Sequence, residues 1–118
     1  MYEVKLTEDK VLNFPESSSL DGSKVTTFTR EVYSANCLQV EAGTTGYCGG
    51  DSGHGARTYF RIEDIASTDI AVNVIPPGKK GQGGFEVALG GDCEIDTIIK
   101  ALKFIVKVLE EESKPVND

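Results

Sequence analysis

The sequence predicts an α+β domain: an antiparallel β-sheet, built as a meander, with one long C-terminal α-helix packed on one face. Three observations carry that prediction. Short runs of alternating apolar and polar residues fill the first three quarters of the chain. Two glycine-rich segments separate such runs, where a sheet protein places its turns. From Asp92 onward the alternation gives way to a helical spacing of apolar residues.

The elements follow in order. Tyr2, Val4 and Leu6 alternate with Glu3 and Lys5, which predicts a first strand; residues 15–24 form a polar loop. Val25 to Tyr33 is rich in β-branched and aromatic residues and predicts a second strand. In Asn36 to Ala42, Leu38, Val40 and Ala42 lie on one side and Gln39 and Glu41 on the other. In Arg57 to Asp64, Thr58, Phe60 and Ile62 face one way and Arg57, Tyr59, Arg61 and Glu63 the other. Asp69 to Ile75 points Ile70, Val72 and Val74 inward, and Phe85, Val87 and Leu89 mark the last strand.

The helix is expected from about Cys93 to Glu112, with Asp92 as N-cap and Glu94 and Asp96 near the positive end of its dipole. Ile95, Ile98, Ile99, Leu102, Ile105, Val106 and Leu109 form its apolar side; Asp96, Lys100, Lys103, Lys107 and Glu111 line the other. Ala101, Phe104 and Val108 widen the apolar arc to roughly 220°, more than the stripe one sheet face requires. The helix is therefore either seated deeply in a concave sheet or also packed against a second subunit. At 118 residues the chain reads as a single domain. Its parts are N-terminal strands and loop (1–35), a β-meander with glycine-rich loops (36–91), the helix (92–113) and a tail (114–118).

Composition excludes some functions. A formal net charge of −7 argues against duplex DNA and anionic membranes as partners, both of which select basic surfaces. The charged, alternating start is not a signal peptide, and no apolar run reaches membrane-spanning length. Three cysteines without paired spacing point to a reducing cytoplasm.

The segment Gly43-Thr-Thr-Gly-Tyr-Cys-Gly-Gly-Asp-Ser-Gly-His-Gly55 holds six of the thirteen glycines and is the candidate ligand site. Gly50-Asp-Ser-Gly53 looks like the nucleophile segment of chymotrypsin-like proteases. The chain is too short for that fold, and its only histidine, His54, follows Ser52 instead of preceding it. Cys48, Asp51 and His54 could ligate a metal, but Cys93 or Cys37 would have to complete the set, and each reads as a strand or helix-cap residue. No Gly-Lys-Ser/Thr ends the loop and no helix follows it, which excludes Walker A and Rossmann fingerprints. No cofactor is expected.

If strands 36–42, 57–64, 69–75 and 85–89 form one meander, the loops 43–56 and 76–84 share an end. That brings Lys79 and Lys80 to the glycine loop. The backbone N–H groups of Gly46, Gly49 and Gly50 would then cradle phosphate. Thr44, Thr45 and Ser52 would add hydroxyls, with Asp51 and His54 beside them. Arg57 would act as a charged clamp, and Tyr47 or Tyr59 as a stacking surface. The bland alternatives are an Ω-loop whose glycines only permit tight turns, loop-tip lysines that serve solubility, and a solvated Arg57/Tyr59/Arg61 face.

The run Leu38 to Asp64, with Leu89-Gly-Gly-Asp-Cys-Glu-Ile95 and the helix to Leu109, is similar to a family of small proteins of phages and mobile elements in Gram-positive bacteria. By analogy of context, this resemblance implies an anti-defence sponge in the cytoplasm of the host bacterium. Such a protein sequesters a small anionic, nucleotide-derived signal without catalysis, as a homo-oligomer. Two other readings are a protein-interaction module that inhibits a host defence protein and a small hydrolase using His54 and Asp51.

Overall fold

The computed structural model describes residues 3–15, 20–50 and 55–114. Six strands precede one helix: β1 (Leu6–Val11), β2 (Lys24–Tyr33), β3 (Cys37–Thr44), β4 (Thr58–Ala66), β5 (Ile70–Ile75), β6 (Gly84–Leu89) and α1 (Asp92–Glu112). The fold is α+β. Strands β1-β2-β3-β4 form an antiparallel sheet in sequence order, and β5-β6 form a separate two-stranded sheet.

The central strands follow the alternation in the sequence. Leu38, Val40 and Ala42 of β3 pair across to Asp64, Ile62 and Phe60 of β4 and share one face. The core forms on that face, where Val32, Leu38, Val40 and Ala42 meet Ala101, Phe104, Ile105 and Val108 of α1. The opposite face also has a buried patch. There Val25, Thr27 and Thr29 alternate along β2 with exposed or half-buried neighbours, and Gly43 of β3 lies next to them. Gly43 is required: a Cβ would collide with the Thr26 carbonyl oxygen, so only glycine lets β2 and β3 approach this closely.

Four expectations change. The first strand is Leu6–Val11, not the alternating run at the start; Tyr2 lies outside the described residues. Pairing with Lys24–Thr29 and the closing bonds Leu12 N–H to Ser23 O (2.8 Å) and Gly22 N–H to Leu12 O (2.8 Å) select this stretch. Charged, exposed residues suit its place at a sheet edge. The helix cap is Gly91 (φ 108°), with Asp92 as the first helical residue and no side-chain cap bond. Glu94 turns back against Gly91 and accepts the Asp69 N–H at 3.2 Å, tying the β4–β5 turn to the helix start.

The single meander is divided. After β4, Ser67 adopts φ 61°, and Asp64 Oδ1 accepts N–H bonds from Ala66 and Thr68 at 3.1 Å. This turn directs β5 and β6 away from the main sheet. The radius of gyration, 15.5 Å, exceeds the roughly 13.5 Å of a compact chain of this length.

The fourth change concerns the helix. Its buried face is Glu94, Thr97, Ala101, Phe104, Ile105 and Val108, whereas Ile95, Ile99, Leu102 and Val106 are exposed. The sheet selects the residues that only widened the apolar arc and leaves half of the main stripe outside.

At the start of β3, the Thr97 hydroxyl lies 2.5 Å from Asn36 Oδ1 and 2.8 Å from Cys93 O. Nearby on β2, Glu31 accepts bonds from Lys5 Nζ and Tyr33 Oη, each at 2.5 Å. The Lys5 bond, then the Tyr33 bond, hold the Glu31 carboxyl below its ordinary 4.5; Glu31 in turn pushes the Tyr33 phenol up to about 12. The signs follow. The Glu31 contribution is complete above pH 4.5 and is lost as pH falls through the lowered value. The Tyr33 contribution is complete below pH 10.0 and is lost between there and about 12. An alkaline absorbance titration is expected to show one tyrosine ionising late, and Tyr33→Phe should delete that step; an unchanged late step would assign it elsewhere.

Candidate functional site

The β3–β4 ladder ends at Thr44↔Thr58, and the glycine loop leaves from there. Its neck is closed by side chains and backbone together. Thr45 N–H donates to Arg57 O at 2.9 Å, and Arg57 N–H donates back to Thr45 Oγ1 at 2.9 Å. One layer below, Thr44 Oγ1 lies 3.0 Å from Thr58 Oγ1 and accepts the Gly46 N–H at 3.1 Å. The Thr44 and Thr45 hydroxyls thus help to set the shape of the loop.

The Arg57 guanidinium donates through Nε to Ser23 Oγ at 3.1 Å and through one terminal nitrogen to Gly55 O and Ala56 O at 3.3 and 3.4 Å. It braces the loop's exit against the β1–β2 connection, a role the sequence reading missed. Ser23 follows a polar stretch that gave no signal of such a contact.

The sequence-predicted residues separate into distinct places. Gly46 (φ 80°) is buried against the end of α1, where a Cβ would lie 3.2 Å from Glu112 O. Its N–H is already bonded to Thr44, so it does not join an anion cradle. The neighbouring helix end is the negative pole of the dipole, carries Glu110, Glu111 and Glu112, and has no basic residue in its last turn. Any negative group must therefore bind farther out. Gly49 and Gly50 are exposed, and their N–H groups bond to no described residue. Tyr47 is 84% exposed, the highest value for any large apolar side chain among the described residues. Asp51, Ser52 and His54 lie outside the described residues.

Tyr59 is half-buried and already covered. Lys10 Nζ sits 4.9 Å from its ring centroid, and Phe14 meets it edge-on at 6.5 Å. The tip of the β5–β6 hairpin lies at the same end of the molecule as the glycine loop, as the Phe60–Phe85 ring contact at 6.1 Å shows. Lys79 and Lys80 are exposed there and form no hydrogen bond or ion pair with a described residue.

A small recess of about 190 Å³ opens between loop and helix, lined by Thr44, Gly46, Tyr47, Ala56, Thr58, Leu109 and Ser113. Pockets that enclose a drug-sized ligand run to roughly 300–1,000 Å³, so this recess can seat one ring and not a whole nucleotide.

The metal option loses its remaining partners. Cys37 opens β3 and Cys48 lies in the loop beyond its far end, the strand between them being roughly 23 Å long at 3.3 Å per residue. Cys93, in the first turn of α1, lies at the Cys37 end, through Thr97 and Asn36. Cys48 Sγ instead faces Gly46 O at 3.3 Å. No group of three metal-ligating side chains occurs among the described residues. Nor is any helix among them long and apolar enough to cross a membrane.

A polar cluster that the sequence reading overlooked lies under the sheet face opposite the helix. Glu41, 4% exposed, accepts Lys10 Nζ at 2.8 Å and the Thr27 hydroxyl at 2.6 Å. Burial alone would pull the Lys10 ammonium down; Glu41 and Tyr59 outweigh it, and the net displacement is upward from 10.5. The pair fixes β1 against β3 beneath the loop's exit strand. Comparison with protein-family models, curated proteins and solved structures gives no match.

Proposed function

We propose that this chain is a non-enzymatic binding protein whose glycine loop captures a small phosphorylated, nucleotide-like molecule. One observation carries the reading. On a loop with a rigidly bonded neck, an aromatic ring stands almost wholly in solvent beside two backbone N–H groups without partners in the described fold. An exposed ring on a braced support is suited to stacking on a base, and adjacent amides to receiving phosphate oxygens. Tyr47 is the stacking surface and Gly49–Gly50 the phosphate contact. Arg57 holds the loop in shape. On the resemblance of the central run to small phage proteins, the captured molecule is a nucleotide-derived immune signal and the protein a sponge in the cytoplasm of the host.

A second reading, a module that docks on a host protein, is favoured by the exposed apolar faces of the hairpin and helix.

A thermal-shift screen against cyclic oligonucleotides and ADP-ribose derivatives tests the first reading. A stabilising compound is expected, and recovery of it intact after denaturation marks capture without turnover. Tyr47→Ala should weaken its binding by about 1–3 kcal/mol, the range for losing one stacked base, while leaving the unliganded melting temperature in place. Wild-type affinity in Tyr47→Ala would remove the ring from the site.

A further inference from the structure

The β5–β6 hairpin has an apolar face that the chain covers only in part, through the Phe60–Phe85 ring contact. Its register stacks Ile70 on Leu89, Val72 on Val87 and Val74 on Phe85, so six apolar side chains share one side. Val72, Val74, Phe85 and Val87 on that side are 57, 82, 56 and 41% exposed. A two-stranded sheet with an uncovered apolar face is at best marginally stable in water. Among the described residues, the outer stripe of α1 formed by Ile95, Ile99, Leu102 and Val106 is a surface of matching kind. It stands roughly 140° around the helix axis from the buried face at 3.6 residues per turn. The C-terminal half of this stripe borders an open trough of about 490 Å³ lined by Leu102, Lys103, Val106, Lys107, Glu110 and Glu111.

We propose that the hairpin of one copy lies in the helix trough of a second copy, and reciprocally, forming a two-fold dimer. Length and charge set the direction. From Ile95 to Glu110 the helix rises roughly 23 Å. From Ile70 to Ile75 the hairpin rises roughly 17 Å, and its loop carries Lys79 and Lys80 a few ångströms farther. With Ile70 and Leu89 over the partner's Ile95, the two lysines meet the acidic end of the partner helix, where the last turn itself has no basic residue and Glu111 is shared with Lys114 at 3.1 Å. Within one chain the hairpin root and helix start are tied together through Glu94 and Asp69. Hairpin tip and helix end both lie toward the glycine loop, so a two-fold axis along that direction satisfies both contacts at once. The six hairpin and four helix apolar residues, with Lys79, Lys80 and the trough's Lys103, Lys107, Glu110 and Glu111, make sixteen residues per copy, close to the roughly 20 a side of a standard interface.

The test is self-association by sedimentation equilibrium, with no ligand added, so it stands or falls apart from the binding reading. The wild-type protein is expected to be a dimer. Lys79→Glu with Lys80→Glu, both on an exposed loop, should raise the dimer dissociation constant about tenfold or more at low salt. Adding Glu110→Lys and Glu111→Lys to that same chain should restore dimerisation. Val74→Asp and Val106→Asp should each abolish it, and mixing the two should recover a dimer, because one wild-type hairpin then meets one wild-type helix. Overturning results are a monomeric wild-type protein, unchanged association in the lysine variant, or loss that the glutamate reversal does not repair. The last two would point to another partner for these faces.

Discussion

Replacing Lys10 by methionine is expected to cost about 3 kcal/mol of folding stability, near the low end of the range for removing one partner of a buried ion pair. The reason is the carboxylate left behind. Glu41 is 4% exposed, and among the described residues the Thr27 hydroxyl, at 2.6 Å, would be its remaining hydrogen-bond donor. Lys10 keeps some contact with water, its side chain being 28% exposed, which keeps the cost from the top of the range. Removing the charge from the other side should repair the damage: Lys10→Met with Glu41→Gln is expected to recover most of the loss, because a neutral amide is far less costly to bury than an unpaired carboxylate. Denaturant unfolding of the single and double variants checks this, and equal destabilisation of both would show that the two side chains are not coupled. Because the Lys10 ammonium is displaced upward from 10.5, the wild-type pair should contribute fully below that pH and fade only as pH rises past the displaced value.

Phe104→Ala is expected to cost about 3–5 kcal/mol, the loss of a fully buried ring plus the cavity it leaves. Phe104 is 3% exposed and sits where α1 meets Val40 and Ala42 of β3. Two residues away, Leu102 is 49% exposed, and Leu102→Ala should change monomer stability by only about 0.5 kcal/mol or less. Urea denaturation followed by far-ultraviolet circular dichroism separates the two. Comparable losses at both positions would mean that the sheet grips the other side of the helix. Any larger effect of Leu102 should then surface in self-association, where its trough is used.

These two positions show what the sequence could and could not convey about the site. The neck of the glycine loop was legible in outline: strands on either side, hydroxyls at Thr44 and Thr45, and Arg57 at the exit. The direction of the Arg57 guanidinium was not, since its partner Ser23 is 34 residues away and becomes a neighbour only when β2 lies beside β3. Gly46 read as a phosphate cradle because the loop's own chemistry permits it. The end of a helix more than sixty residues later sets the Glu112 carbonyl oxygen against that space, whereas Gly49 and Gly50 are exposed. Tyr47 and Tyr59 were equivalent as stacking surfaces until Lys10 and Phe14 covered one of them.

The sequence by itself determined the α+β class, the long helix, the inward sides of β3 and β4, and the position of the glycine loop. All of these are local: two-residue and helical periodicities, and glycine's tolerance of turns, act within a few positions of each residue. Tertiary structure alone decided which of two apolar helix stripes met the sheet, where β1 began, that β5 and β6 left the main sheet, and that Lys10 and Glu41 were buried together. Each of those outcomes is a competition between surfaces distant in the chain. Register, close approach at Gly43 and the turn at Ser67 settle it, and periodicity within one segment does not encode them.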